Sequence, residues 1–188
     1  MNFIDHSKIE GSHAFLSASN YHWLNYDLNK LTESYYNNKA KALGTELHEF
    51  ASQCINKKIK LKKKDTLGLF VNDCIDKGMY SEKMLYYSDF CYGTADAILY
   101  KDGVLNIYDL KTGKTKASFK QLEIYCALYC LEYLVDPNDI KFHLRIYQNN
   151  SIIKYKPKPS LIIDIMNKIR MFNEHLTKIE QEGMSILL

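Results

Sequence analysis

Asp96, Asp109 and Lys111 are the residues whose types and spacing could do chemistry together. They flank an Asp102-Gly103 pair set between two runs of β-favouring residues, Gly93 to Lys101 and Val104 to Lys111. Asp-Gly between apolar strands favours a two-residue type I′ connection, because both central residues take positive φ. With that turn Lys101 faces Val104, Tyr100 faces Leu105 and, continuing inward, Asp96 faces Asp109. Side chains so paired have Cβ atoms about 4.5 to 5.5 Å apart, and like charges there destabilise a sheet. A hard divalent cation such as Mg2+ is the natural counter-charge, since it takes oxygen ligands from one or two carboxylates. Lys111 lies two residues beyond Asp109, so the period of a strand sets both side chains on one face. An ammonium there can hold or help deprotonate a water while the ion stabilises charge developing on a phosphate. The same three residues also read as a salt-bridged patch on a solvated face, which would be worth little.

The elements that must position them are legible from periodicity. Ala40, Leu43, Leu47, Phe50 and Cys54 recur at steps of three and four, predicting a helix from about Tyr36 to Asn56 with one buried stripe and His48 beside it. Six lysines follow in the eight positions Lys57 to Lys64. A second helical segment is expected from about Thr66 to Lys77, ended by Gly78. From Lys83 the period changes to two, leading into the hairpin. Helical spacing returns from about Ser118 to Leu134 and stops before Asp136-Pro137. Phe142, Leu144 and Ile146 alternate as a strand, and a turn at Asn149-Asn150 leads to a short strand at Ile152 to Tyr155. Ser160 is placed to cap a last amphipathic helix carrying Ile162, Ile165, Ile169, Phe172, Leu176 and Ile179. The predicted order is helices, antiparallel strands, helix, strands, helix.

Gly44-Thr45-Glu46-Leu47-His48-Glu49, Gly93-Thr94-Ala95-Asp96, Asp109-Leu110-Lys111, and the pair Gln121 and Tyr125 follow one another in that order. Together they resemble the motifs of RecB-like nucleases of the PD-(D/E)xK superfamily, over about His13 to Tyr133. Within that group they look most like an uncharacterised phage-encoded branch. The resemblance implies an α/β fold of restriction-endonuclease type, with a central mixed sheet flanked by helices. It implies a single nuclease domain over 1–188, made of an N-terminal segment 1–35, a catalytic core 36–157 and a C-terminal helix 158–188. It further implies that His48, Asp96, Asp109 and the Leu110 carbonyl ligate Mg2+ or Mn2+ and that Lys111 is the catalytic lysine. Gln121 and Tyr125, one helical turn apart, would line the site and contact DNA or orient Lys111. Gly44, one turn before His48, would let backbone pack closely. The activity implied is hydrolysis of DNA phosphodiesters, by an exonuclease or an endonuclease, in phage or mobile-element recombination or processing. The partners implied are DNA and, left open, a second copy of the chain or a recombination protein. Some relatives hold an iron-sulfur cluster on four cysteines; Asn25 stands near the first cysteine's place here and no cysteine follows Cys130, so no cluster is expected. Asp109 stands where many relatives have glutamate. The competing function is a catalytically silent nuclease-like module that binds DNA or a partner protein.

Composition narrows the setting. Of 188 residues 46% are hydrophobic and 25% charged, which suits a folded core and argues against extensive disorder. Residues Met1 to Asp5 carry no secretory pattern, and no apolar run approaches the roughly 18 residues that span a bilayer, so a cytoplasmic protein without a membrane anchor is expected. The five cysteines include no CxxC pair and suit thiols in a reducing compartment. A net charge of +3 says little about polyanions. Only Arg145 and Arg170 among the 25 basic residues are arginine, so any nucleic-acid contact falls to lysines, which hold phosphates without reading bases. Candidates are Lys57 to Lys64 and Lys114, Lys116 and Lys120, while Tyr21, His22 and Trp23 could stack on bases or close an aromatic core. No glycine-rich phosphate loop or serine-nucleophile signature is present.

Overall fold

A computed structural model describes residues 14–113 and 115–187, with side chains to 182. His13, where the resemblance begins, and Lys114, among the expected phosphate contacts, lie outside the described residues. The chain divides into two compact units, Met1–Leu43 and Gly44–Leu188. In residues 14–43 a 3-10 turn at Tyr21–Asn25 precedes the start of helix α1 (Leu28–Asn56). The Asp27 carboxylate accepts from the Lys30 amide at 2.7 Å, the side-chain cap that a helix start requires. The Trp23 indole N–H donates to the Ser17 carbonyl at 2.9 Å.

In the second unit, helices cover both faces of one mixed sheet. Helix α2 (Thr66–Lys77) starts where Asp65 accepts from the Gly68 amide and ends at Gly78, left-handed at φ 69°. Strands β1 (Tyr80–Ser88), β2 (Cys91–Lys101) and β3 (Val104–Leu110) follow, then α3 (Lys120–Glu132), β4 (Lys141–Gln148), β5 (Ser151–Tyr155) and α4 (Pro159–Leu187). The strands lie side by side in chain order, antiparallel except for the parallel pair β3–β4. A parallel pair needs a long crossover, and α3 is that crossover. It packs with α4 on one face, where Leu122, Cys126 and Ile162 meet Leu105, Ile107 and Leu144. On the other face Ala51, Cys54 and Ile55 of α1 and Phe70, Val71 and Cys74 of α2 meet Tyr108, Leu110 and Tyr147.

Asp102 and Gly103 sit at φ 51° and 73°, and Lys101 faces Val104, as the turn chemistry predicts. Asn149 and Asn150 repeat the device at φ 52° and 56° between β4 and β5. Two expectations are corrected. Ala40, Leu43 and Phe50 are exposed, and the inward face of α1 keeps Leu47 and Cys54 of the expected stripe but adds His48, Ala51 and Ile55. The stripe is rotated because the covering surface, not the helix's own apolar pattern, selects which face is buried. Ser160 lies inside α4, whose first residue is Pro159; proline suits that position because the first helical N–H has no intrahelical acceptor. All five cysteines are free thiols and, Cys91 apart, buried.

Candidate metal centre

Three neighbouring elements set the acidic pair. The β2–β3 ladder runs from Lys101 and Val104 to Ala97 and Tyr108 and stops one residue short of Asp96 and Asp109. The expectation that these two form a direct ladder pair is therefore corrected. Asp96 turns its Oδ2 to the Leu110 amide, accepting at 2.8 Å, and so takes the place of a strand carbonyl. In an extended residue the N–H and C=O point to the same neighbouring strand. The Leu110 carbonyl therefore faces the β2 side with its amide, toward Asp96, while the Lys111 amide pairs the other way with the Tyr147 carbonyl at 2.9 Å.

Asp109 is the buried member, its side chain only 3% exposed. Its Oδ1 accepts from Lys111 Nζ at 3.0 Å, whereas its Oδ2 is buried with no hydrogen-bond partner among the described residues. Burial, then the nearby Asp96 charge, push the Asp109 carboxyl above its ordinary range, and Lys111 offsets part of that. The Lys111 ammonium also donates to Gln121 Oε1 at 3.0 Å. Gln121 Nε2 donates to the Tyr125 hydroxyl at 3.0 Å, and that hydroxyl donates to the Thr94 carbonyl at 2.7 Å. The four side chains thus form one hydrogen-bonded line from the carboxylate on β3 across α3 to the backbone of β2. Gly93 makes room for its end, since a Cβ there would lie 2.9 Å from Tyr125 Cε1.

His48 comes from α1 and completes the group. Its Nδ1 is 3.3 Å from Asp96 Oδ1, and that contact raises the imidazole pKa despite partial burial. One turn earlier, a Cβ on Gly44 would come within 3.2 Å of Thr112 Oγ1, so the helix does approach the strand end closely. Every side chain expected at the site, His48, Asp96, Asp109, Lys111, Gln121 and Tyr125, meets in one cluster at this end of β2 and β3. Beyond it a cleft of about 390 Å³ is lined by Leu47, Thr66, Leu110, Lys111, Thr112 and Asn150. Gln148, buried at the end of β4, holds the segment that leaves the site: its Nε2 donates to the carbonyls of Gly113 and Thr115, and its Oε1 accepts from the Ala117 amide.

Glu82 is the residue that sequence reasoning missed. One oxygen of Glu82, one of Asp96 and a nitrogen of His48 lie within 4.8 Å of one another. Glu82 enters through the β1–β2 register, which shifts between Tyr86 and Ser88, so counting from the turn could not have found it. Lys116 and Lys120 are exposed, the latter 3.2 Å from Glu123. Within the lysine run Lys60 pairs with Asp76 and Lys63 with Asp65. No helix among the described residues is long and apolar enough to cross a membrane.

No family model matches the chain, and no curated protein matches its sequence. A solved structure titled "Crystal structure of SSO0001" is similar over 76% of this chain and 64% of that one, with 14% identity and a TM-score of 0.37. The chain therefore spans less than two thirds of that protein's length.

Proposed function

We propose that this chain is a cytoplasmic, metal-dependent deoxyribonuclease on a PD-(D/E)xK core of the RecB-like kind, hydrolysing DNA phosphodiesters with weak sequence preference. The observation that carries the reading is the buried, partnerless Oδ2 of Asp109 beside Asp96, with an ammonium held at the other oxygen. An unsatisfied buried carboxylate oxygen costs about 1–3 kcal/mol or more. A hard cation offsets that penalty and the repulsion between the two carboxylates, so the donor set fits Mg2+ or Mn2+. Asp96, Asp109 and the Leu110 carbonyl would hold the ion, with His48 alongside. When bound, the ion supplies Lewis-acid stabilisation of negative charge on the phosphate and lowers the pKa of a coordinated water.

The side chains do the rest. Lys111 is held as an ammonium between Asp109 and Gln121, and its remaining N–H can position the attacking water or meet a phosphate oxygen. Gln121 and Tyr125 fix that ammonium by tying it to the Thr94 carbonyl. Lys116 and Lys120 supply non-specific attraction to the DNA backbone. Phage or mobile-element recombination is the pathway such an activity suits, with a second copy or a recombination protein as partner. The test is incubation of labelled single- and double-stranded DNA with Mg2+, Mn2+ or EDTA, beside Asp109→Ala and Lys111→Ala. Metal-dependent cleavage lost in both variants is expected; cleavage unchanged in both rejects the site. Binding without cleavage under any metal favours the silent module.

A further inference from the structure

Helix α4 is apolar for longer than it has a core to cover. Ile162, Ile165, Ile169, Phe172, Leu176 and Ile179 recur at alternating steps of three and four, the a and d spacing of a heptad. That narrow stripe is the seam of a helix packed along another helix, whereas a helix lying on a globular core carries a broader one. Ile162 is fully buried, and Ile165 and Ile169 pack against the same core. Phe172, Leu176 and Ile179 continue the seam and are exposed, with 51% of Phe172 open to solvent. Beside the seam runs a groove of about 500 Å³, walled by Ile165, Ile169, Phe172 and Leu176 of α4, Ile124 of α3 and Phe90 between β1 and β2. Among the described residues its charged lining is Lys120 and Lys168. Asn173 lines it too, and the Asn173 Oδ1 is buried with no hydrogen-bond partner among the described residues. A groove of this kind takes an amphipathic helix on anchors at i, i+3, i+4 and i+7, and α4 carries such anchors itself.

We propose that the occupant is α4 of a second copy of this chain, laid antiparallel, so that the seam of each copy fills the groove of the other. A two-fold interface must be self-complementary, and the sequence of α4 meets that condition about a centre level with Glu174. Phe172 then falls opposite Leu176 of the second copy, and Ile169 opposite its Ile179. Lys168 falls level with Glu182 of the second copy, an opposite charge at the flank of the seam. Asn173 meets Asn173 of the second copy, whose amide can donate to the partnerless oxygen, and a polar residue so placed fixes register. In a parallel pair Lys168 and Glu182 would lie about 21 Å apart along the axis. The charge pattern therefore selects the antiparallel arrangement.

The experiment is sedimentation equilibrium of the full chain over a range of concentrations, in EDTA and without DNA. A dimer is expected. Phe172→Asp and, separately, Ile179→Asp are each expected to raise its dissociation constant about 30-fold, or about 2 kcal/mol at about 1.4 kcal/mol per tenfold. Both side chains are exposed in a single copy, and circular dichroism confirms that each variant folds. Lys168→Glu is expected to weaken the dimer, and Lys168→Glu combined with Glu182→Lys to restore it. A wild type that stays monomeric overturns the proposal, as does a dimer that neither aspartate loosens or one that the charge exchange fails to restore. A monomer in which Phe172→Asp weakens binding of single-stranded DNA gives the groove to nucleic acid and likewise overturns it. Association is read without cleavage, so a monomer that cleaves DNA rejects this interface alone, and a dimer that cleaves none rejects the nuclease reading alone.

Discussion

Replacing Lys111 by methionine keeps the length of the side chain and removes its charge. The Lys111 ammonium is 3.0 Å from both Asp109 Oδ1 and Gln121 Oε1, and the Asp109 side chain it neutralises is 3% exposed. Removing one partner of a buried ion pair costs about 3–5 kcal/mol. The lysine side chain is 32% exposed, so water screens part of the interaction and about 2–3 kcal/mol is the better figure. In a chain of this size that corresponds to a fall in Tm of about 5–10 °C. The pH dependence follows from Asp109, whose carboxyl is already raised by burial and by Asp96. A raised acid pKa means that the stability is fully present below the unfolded value and is lost as pH rises through the folded one. Without the ammonium the folded value rises further. The deficit of Lys111→Met relative to wild type is therefore small at acid pH and largest near pH 8. The assay is thermal melting in EDTA at several pH values, with Asp109→Asn and the double variant beside it. In the Asp109→Asn background the Lys111→Met penalty is expected to fall below about 1 kcal/mol, because no buried charge is left to strand. A deficit that is the same at pH 5 and pH 8, or penalties that simply add in the double variant, would refute the reasoning.

Tyr125→Phe removes a hydroxyl that donates to the Thr94 carbonyl and accepts from Gln121; urea unfolding is expected to register a loss of about 1–2 kcal/mol, and no change would mean that these contacts carry nothing. Glu82→Gly relieves the left-handed backbone at φ 49° and is expected to stabilise the metal-free protein by about 1 kcal/mol on thermal melting. A destabilised Glu82→Gly would show that the carboxylate serves the fold instead of a ligand.

Local chemistry made much of this legible. The Asp102-Gly103 turn depends on two residues and their φ values, and it fixed the strand register as far as Ala97 and Tyr108. Gln121 and Tyr125 lie one turn apart on α3, so their meeting with the strand end needed only the crossover between β3 and β4. What could not be read depended on partners remote in the chain. The buried face of α1 is chosen by the sheet it covers, which is why Leu43 and Phe50 are exposed while Ala51 and Ile55 are buried. The last step from a ladder pair to a carboxylate on the Leu110 amide arises where β2 and β3 part. Glu82 was hidden twice, by a register shift beyond Tyr86 and by a backbone conformation that no residue type at that position announces.

The Gln148 amide has a consequence for how this scaffold tolerates change in length. It meets the backbone of Gly113, Thr115 and Ala117 at three points, so a residue inserted or deleted between them would strand a buried polar group and swing α3 relative to Lys111. Among the described residues, the hydrogen bonds of the turn from Asp136 to Asp139 close upon the turn itself. Epitope tags or a new chain opening belong there, where an added loop leaves the distance from ammonium to amide untouched.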